Sequence, residues 1–177
     1  MHDEKNLRLY GLMLCMPELE SLPLLQELAD EHPWMQAGLH ELNLTPLEEW
    51  QGEYTRLFVN GFPKTPAPPY ESVYRHQSMQ GPVVDTLHDL YQDAGLTIGE
   101  MPADYLGTQL EFAAHLAASD DPRAPHWQTR LWRDHLQHWL PHFIADVCQH
   151  SQLLIYRLWG GQLTLLSKHM QEVMTYA

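Results

Sequence analysis

The chain has 177 residues, with 23 acidic against 10 basic side chains and a net charge of −13. That length suits one domain, or one core divided between two small lobes, and buries a sizeable interior without a metal or disulfide staple. The charge repels a phosphate backbone and no basic patch offsets it, which sets nucleic acid aside as a partner. An acidic surface suits a basic peptide, whose arginines pair with carboxylates, and it also serves solubility alone.

The first residues, MHDEKNLRLY, are charged from the third onward and lack the apolar core of a secretory signal. No uncharged run approaches the roughly 18 residues of a membrane span, so a soluble, cytoplasmic protein without membrane insertion is expected. Cys15 and Cys148 lie far apart without CxxC spacing, which suits a reducing compartment with both thiols as small buried residues, a disulfide between them being the alternative.

Helical spacing dominates. Residues 3–15 and 19–31 carry apolar stripes broken at Pro17, a helical pair in which Pro23 is tolerated in a first turn. Thr45-Pro46-Leu47-Glu48 offers a cap, a proline at the first helical position and a glutamate three residues after the cap, predicting a helix to about Val59. Asn60-Gly61 ends it, and a proline-rich strap containing PAPPYESVYR (66–75) runs to about Arg75. Its prolines fix an extended, hydrogen-bond-poor path, either as a stiff loop anchored by Tyr70 and Tyr74 or as one wall of a binding groove.

From Pro82 to Ala94, Val83, Leu87, Leu90 and Ala94 share one face, and Gly95 is placed to close the helix in a left-handed cap. GLTIGEMPAD (95–104) reads as a connector and a hinge. Asp104 is placed to cap a helix to about Ala118 with Leu106, Leu110, Ala113 and Ala117 as its core stripe, while Asp104, Thr108, Glu111 and His115 line a polar face. Trp132, Leu136, Trp139, Phe143 and Val147 repeat at helical spacing, with Pro141 predicting a kink or break, and a last helical segment follows Gly160-Gly161. The sum is an all-α bundle of roughly eight to ten helices forming one domain over 1–177. It divides into an N-terminal lobe of about 1–95, a hinge near 95–104 and a C-terminal lobe of about 104–177.

Chemistry is sparse. Twelve histidines include His135, His138 and His142 at helical offsets, which opens a reading as a histidine-rich metal- or cofactor-binding helical protein. Against it stand the intervening Pro141 and the lack of HExxH or ExxH, so no metal site is assigned and His135 reads as a core histidine held by a hydrogen bond. No nucleophile elbow, phosphate loop or dinucleotide turn occurs, so no catalytic residue and no cofactor are assigned. Glu111 and His115, four apart on a helix, read as surface or binding-face groups rather than an acid and base pair.

Four motifs stand in order: YTRLFVNGFP (54–63), PAPPYESVYR (66–75), MPADYLGTQLEFAAHL (101–116) and RDHLQHWLPHF (133–143). In that order the chain resembles the TorD/DmsD family of redox-enzyme maturation chaperones, over about half its length. The resemblance implies an all-helical, two-lobed, non-enzymatic chaperone. Its partners would be the twin-arginine signal peptide and apo-subunit of a molybdopterin oxidoreductase, held until the cofactor is inserted, with the chaperone a monomer or lobe-exchanged dimer. Dimethyl sulfoxide, trimethylamine oxide, tetrathionate and formate enzymes all remain open as clients, and a weak nucleotide hydrolase is a further reading that the missing phosphate loop disfavours. The family's hinge motif, Glu-Pro-x-Asp-His, is matched by Pro102 and Asp104, while Met101 stands for the glutamate, Tyr105 for the histidine, and Glu100 is displaced by one position. The implied peptide groove takes guanidinium groups on Glu71, Asp104 and Glu111 and the apolar stretch on Tyr54, Leu57, Phe58, Tyr70, Tyr74 and Tyr105, with Gly81 and Pro102 as further motif positions.

Overall fold

The computed structural model describes residues 4–79 and 81–176. Among the described residues there are ten α-helical segments and no strand. They are α1 (Glu4–Leu12), α2 (Ser21–Leu28), α3 (Gln36–Leu42), α4 (Leu47–Tyr54), α5 (Glu71–His76), α6 (Pro82–Asp93), α7 (Leu106–Ala118), α8 (Ala124–Arg130), α9 (Gln137–His150) and α10 (Leu154–Tyr176). The all-α class and the expected number of helices hold.

Two helices run on through wide π-helical turns. Thr55–Val59 extends α4, which gives the helix to Val59 read from the sequence, and Leu131–Leu136 joins α8 to α9. Such turns insert a residue into the helical ladder and recur at functional positions. The first falls inside an ordered motif, at TRLFV, and the second overlaps the start of the last one, at RDHL.

Several local expectations are corrected. Thr45 does not cap α4: its hydroxyl donates to the Glu41 carbonyl at 2.9 Å, leaving Pro46 as the flanking residue with no side-chain cap. Pro141 does not break the helix, since α9 runs through it. Pro141 is exposed, so water can reach the carbonyl its missing N–H leaves behind, while Trp139, Leu140 and Phe143 beside it are fully enclosed. Gly160 and Gly161 lie within α10 rather than before it. A Cβ at Gly160 would stand 2.6 Å from the Cys148 sulfur, so close helix approach explains that glycine. The strap is shorter than expected, because its residues from Glu71 onward wind into α5.

The chain forms two compact units, each discontinuous in sequence. One unit comprises the residues up to Leu14, Pro69–His142 and the residues from Leu165 onward. Here α1 packs on α7, whose buried face includes Leu106, Leu110, Ala113 and Ala114, and Arg8 of α1 pairs with Glu111. The small alanines allow the two backbones to approach. Tyr91 of α6 meets Phe112 edge-on at 4.8 Å.

The other unit comprises Cys15–Pro68 and Phe143–Thr164. Phe58 is its centre, with ring centroids 5.4 Å from Tyr54, 5.2 Å from Tyr156, 6.1 Å from Trp159 and 6.3 Å from Phe143. Trp50 Nε1 donates to Tyr156 Oη at 3.0 Å. Glu53 is buried and ties the turn before α10, accepting from the Gln152 N–H at 2.7 Å and from Arg56.

The division expected near 95–104 differs from this partition, since those residues, α6 before them and α7 after them all lie in the first unit. Contacts between sequence-distant segments, such as Tyr105 Oη donating to the Leu14 carbonyl at 2.9 Å, set the units; a glycine-rich connector does not by itself divide a core.

Candidate peptide-binding cleft

The geometry begins where the proline run ends. Pro69 and Tyr70 are extended, and Tyr70 pairs with Tyr105 in an isolated antiparallel bridge. Two backbone bonds make it: Glu71 N–H to the Asp104 carbonyl at 3.0 Å, and Leu106 N–H to the Pro69 carbonyl at 2.9 Å. The two tyrosine rings lie 5.4 Å apart. Proline has no N–H of its own, but its carbonyl still accepts, so the strap docks with Pro69 in place.

Asp104 does not cap α7. Its Oδ2 accepts from the Ser72 N–H at 3.0 Å, in the first turn of α5, while α7 starts after Tyr105 with no side-chain cap. A carboxylate at that place satisfies a backbone donor that the helix leaves unpaired and complements the positive end of its dipole. Asp104 is 2% exposed, and Tyr91 Oη donates to the adjacent Ala103 carbonyl at 2.8 Å. Burial, with Glu71 and Asp104 close by, pushes the Tyr91 phenol far above its ordinary range. Burial and Asp104 also push the Tyr70 phenol up.

Glu71 is the hub of this unit. It is fully enclosed, and its carboxylate accepts from Arg75 Nη1 at 2.6 Å, Gln109 Nε2 at 2.8 Å and His135 Nδ1 at 3.2 Å. An ionised carboxylate only accepts, so Nδ1 of His135 carries its proton. The buried-core reading of His135 is thereby met. Arg75 also donates to the Asp134 carbonyl at 3.1 Å, so α5, α7 and the π turn before α9 converge on one side chain.

An open cleft of about 590 Å³ lies beside this hub, between the start of α6 and residues 98–104. Val84, Asp85 and His88 face it from α6, and Ile98, Glu100 and Met101 face it from the connector, with Met79 at its edge. Among the described lining residues three are carboxylates and none is lysine or arginine. Such a surface pairs with guanidinium and ammonium groups, while exposed thioethers adapt to irregular apolar chains.

The profile of the nitrate reductase delta subunit family matches residues 20–145. The chain belongs to the nitrate reductase delta subunit family. The motif-based likeness to redox-enzyme maturation chaperones is therefore met. A crystal structure of a protein from Archaeoglobus fulgidus, named as a candidate redox enzyme maturation protein, aligns with a TM-score of 0.67 at 22% identity, covering 97% of this chain and 95% of that one. That likeness is one of fold. No curated protein sequence matches the chain.

In this member of the delta subunit family the residues singled out from sequence part company. Gly81, Pro102 and Asp104 border the cleft. Tyr70, Tyr74 and Tyr105 are half-buried, with Tyr74 5.6 Å from Trp139 and Tyr70 on Tyr105. Glu71 lies behind the cleft with its carboxylate fully occupied, and Glu111 is exposed on α7 and paired with Arg8. Tyr54, Leu57 and Phe58 lie in the other unit, 8%, 0% and 2% exposed, as core side chains. Sequence reading missed Met79, Val84, Asp85, His88, Ile98 and, as lining groups, Glu100 and Met101. A signal for three of them was present: Val84, Asp85 and His88 occupy the face of α6 that the core stripe Val83, Leu87 and Leu90 leaves outward.

Among the described residues no group of three or more histidine, cysteine, aspartate or glutamate side chains is placed to hold a metal ion, and no helix is long and apolar enough to cross a membrane. His138 and His142 are exposed, while His135 is turned inward to Glu71.

Proposed function

We propose that the protein is a cytoplasmic maturation chaperone that binds the twin-arginine signal peptide of a molybdopterin oxidoreductase subunit in the cleft between α6 and residues 98–104, and holds the subunit for cofactor insertion before export. Family membership supports the maturation role. The observation that carries the peptide assignment is the lining itself: exposed Asp85 and Glu100 beside exposed Met79 and Met101, with Val84 and Ile98 between. An arginine pair followed by an apolar stretch needs both halves of such a surface. Catalysis has no part in this role, and binding requires no resident cofactor.

The test is a panel of fluorescent synthetic leader peptides from candidate molybdoenzymes, titrated with the full chain and followed by anisotropy. One or more leaders should bind saturably, and replacing both arginines by glutamine should abolish most of that binding. A chain that binds none of them, or binds the glutamine version equally, would show the cleft to be misassigned.

A further inference from the structure

Asp104 carries the motif position where a carboxylate is expected to grip a peptide arginine, yet its surroundings give it other work. It is 2% exposed, and its Oδ2 already accepts the Ser72 N–H at 3.0 Å. Its own carbonyl accepts from Glu71 N–H at 3.0 Å, the neighbouring Ala103 carbonyl is held by Tyr91 Oη at 2.8 Å, and Tyr105 N–H closes on the Pro102 carbonyl at 3.2 Å. Residues 102–105 are therefore fastened from α5, from α6 and from within. The carboxylates open to solvent in the same cleft are Asp85 and Glu100.

We infer that Asp104 is a positioning residue: it caps α5 across the bridge and thereby fixes the wall that carries Glu100, Met101 and Pro102, rather than pairing with the ligand. The inference rests on the peptide-binding reading of the cleft for its effect on affinity, but not for its effect on α5. Helix capping and ion pairing make opposite demands on one substitution. Asparagine caps a helix about as well as aspartate because its side-chain oxygen accepts the same N–H, whereas alanine cannot. An arginine partner, in contrast, needs the negative charge, which asparagine lacks.

The experiment compares the full-length chain with Asp104→Asn and Asp104→Ala, by two readouts. Hydrogen exchange of the Ser72 amide is measured on the free protein, and anisotropy is measured with an arginine-pair peptide. Asp104→Ala should accelerate Ser72 exchange by about fivefold or more and weaken the peptide about tenfold, while Asp104→Asn should stay within about twofold of the parent in both. If Asp104→Asn loses as much affinity as Asp104→Ala while Ser72 remains protected, the carboxylate contacts the ligand and the inference is overturned. If Ser72 exchange is unchanged in Asp104→Ala, the capping role is overturned whatever the peptide does. Should the parent bind no arginine-pair peptide, the proposed function fails, and the exchange measurement alone then decides the capping role.

Discussion

Glu71 and His135 are 64 positions apart in the chain and meet at 3.2 Å with both side chains enclosed. A buried carboxylate is tolerated only when its lone pairs are filled, and here Arg75 and Gln109 complete the set. Arg75 is one-third exposed and can turn to water, whereas Gln109 and His135 cannot. Removing the acceptor thus strands two buried donors.

Glu71→Ala should accordingly destabilise the fold by about 3 to 5 kcal/mol, the range for breaking a buried pair from one side. Glu71→Gln keeps one acceptor oxygen and should cost about 1 to 3 kcal/mol. Urea denaturation followed by tryptophan fluorescence measures both, and equal costs would mean that the retained acceptor oxygen contributes nothing without the negative charge.

Tyr91 gives a pH dependence of definite sign. Its phenol ordinarily ionises near 10.0, and burial with Glu71 and Asp104 nearby raises it in the folded state. A raised pKa means that the folded protein holds the proton more tightly. The contribution is fully present below about pH 10 and declines above it, as the unfolded chain ionises first, by up to about 1.4 kcal/mol per pH unit. Tyr91→Phe should flatten that alkaline decline while lowering stability at neutral pH by about 1 kcal/mol through the lost bond to Ala103. Denaturation midpoints between pH 8 and about 11.5 test it, and an unchanged alkaline slope would place the ionisation elsewhere, with Tyr156 the next buried phenol raised in the same way.

Two glycines in the second unit separate clashes that can relax from those that cannot. A Cβ at Gly38 would stand 2.8 Å from the Ile155 Cα, which is backbone, so Gly38→Ala should cost about 1 to 3 kcal/mol that no neighbouring side-chain change recovers. At Gly160 the obstruction is the Cys148 sulfur at 2.6 Å. Gly160→Ala should destabilise alone, and Cys148→Ala should restore it to the parent value or up to about 1 kcal/mol above, since alanine favours a helix interior over glycine. Thermal unfolding of the single and double variants checks the coupling.

The fold was legible from sequence where period and terminators agreed. Val83, Leu87 and Leu90 with Gly95 after them gave α6 and its end, and Gly95 does take φ 77° with its N–H on the Gln92 carbonyl at 2.8 Å. Capping was legible in type but not in partner. Thr45 and Asp104 are good capping residues, yet the groups they satisfy, the Glu41 carbonyl and the Ser72 N–H, belong to other segments. The six residues of α5 were hidden by the prolines before them, because a helix of that length has no periodic stripe to detect. In the site, composition indicated acidic and apolar groups without saying which were accessible. Glu71 and Asp104 turned inward onto donors supplied by α5, α7 and the π turn, and those donors depend on tertiary placement.

The cleft carboxylates should act through charge at a wet surface, and this fixes the size of their effect. Asp85 and Glu100 are exposed, so each pairing with a peptide arginine contributes about 0.2 to 1 kcal/mol rather than the larger worth of a buried pair. Asp85→Asn and Glu100→Gln should each weaken an arginine-pair peptide by roughly two- to fivefold; Glu100→Gln should leave thermal stability unchanged, while Asp85→Asn should lower it by about 0.3 to 1 kcal/mol because Asp85 lies in the first turn of α6. Raising ionic strength from about 0.01 M to 0.15 M shortens the screening length from about 30 Å to 8 Å and should weaken the parent complex in parallel. That salt dependence should be shallower in the double variant, while Met101→Ser should weaken binding by a similar factor at every salt concentration because it removes apolar contact rather than charge. Titrations at several ionic strengths separate the two contributions, and a salt dependence identical in parent and double variant would assign the guanidinium contacts to carboxylates outside this cleft.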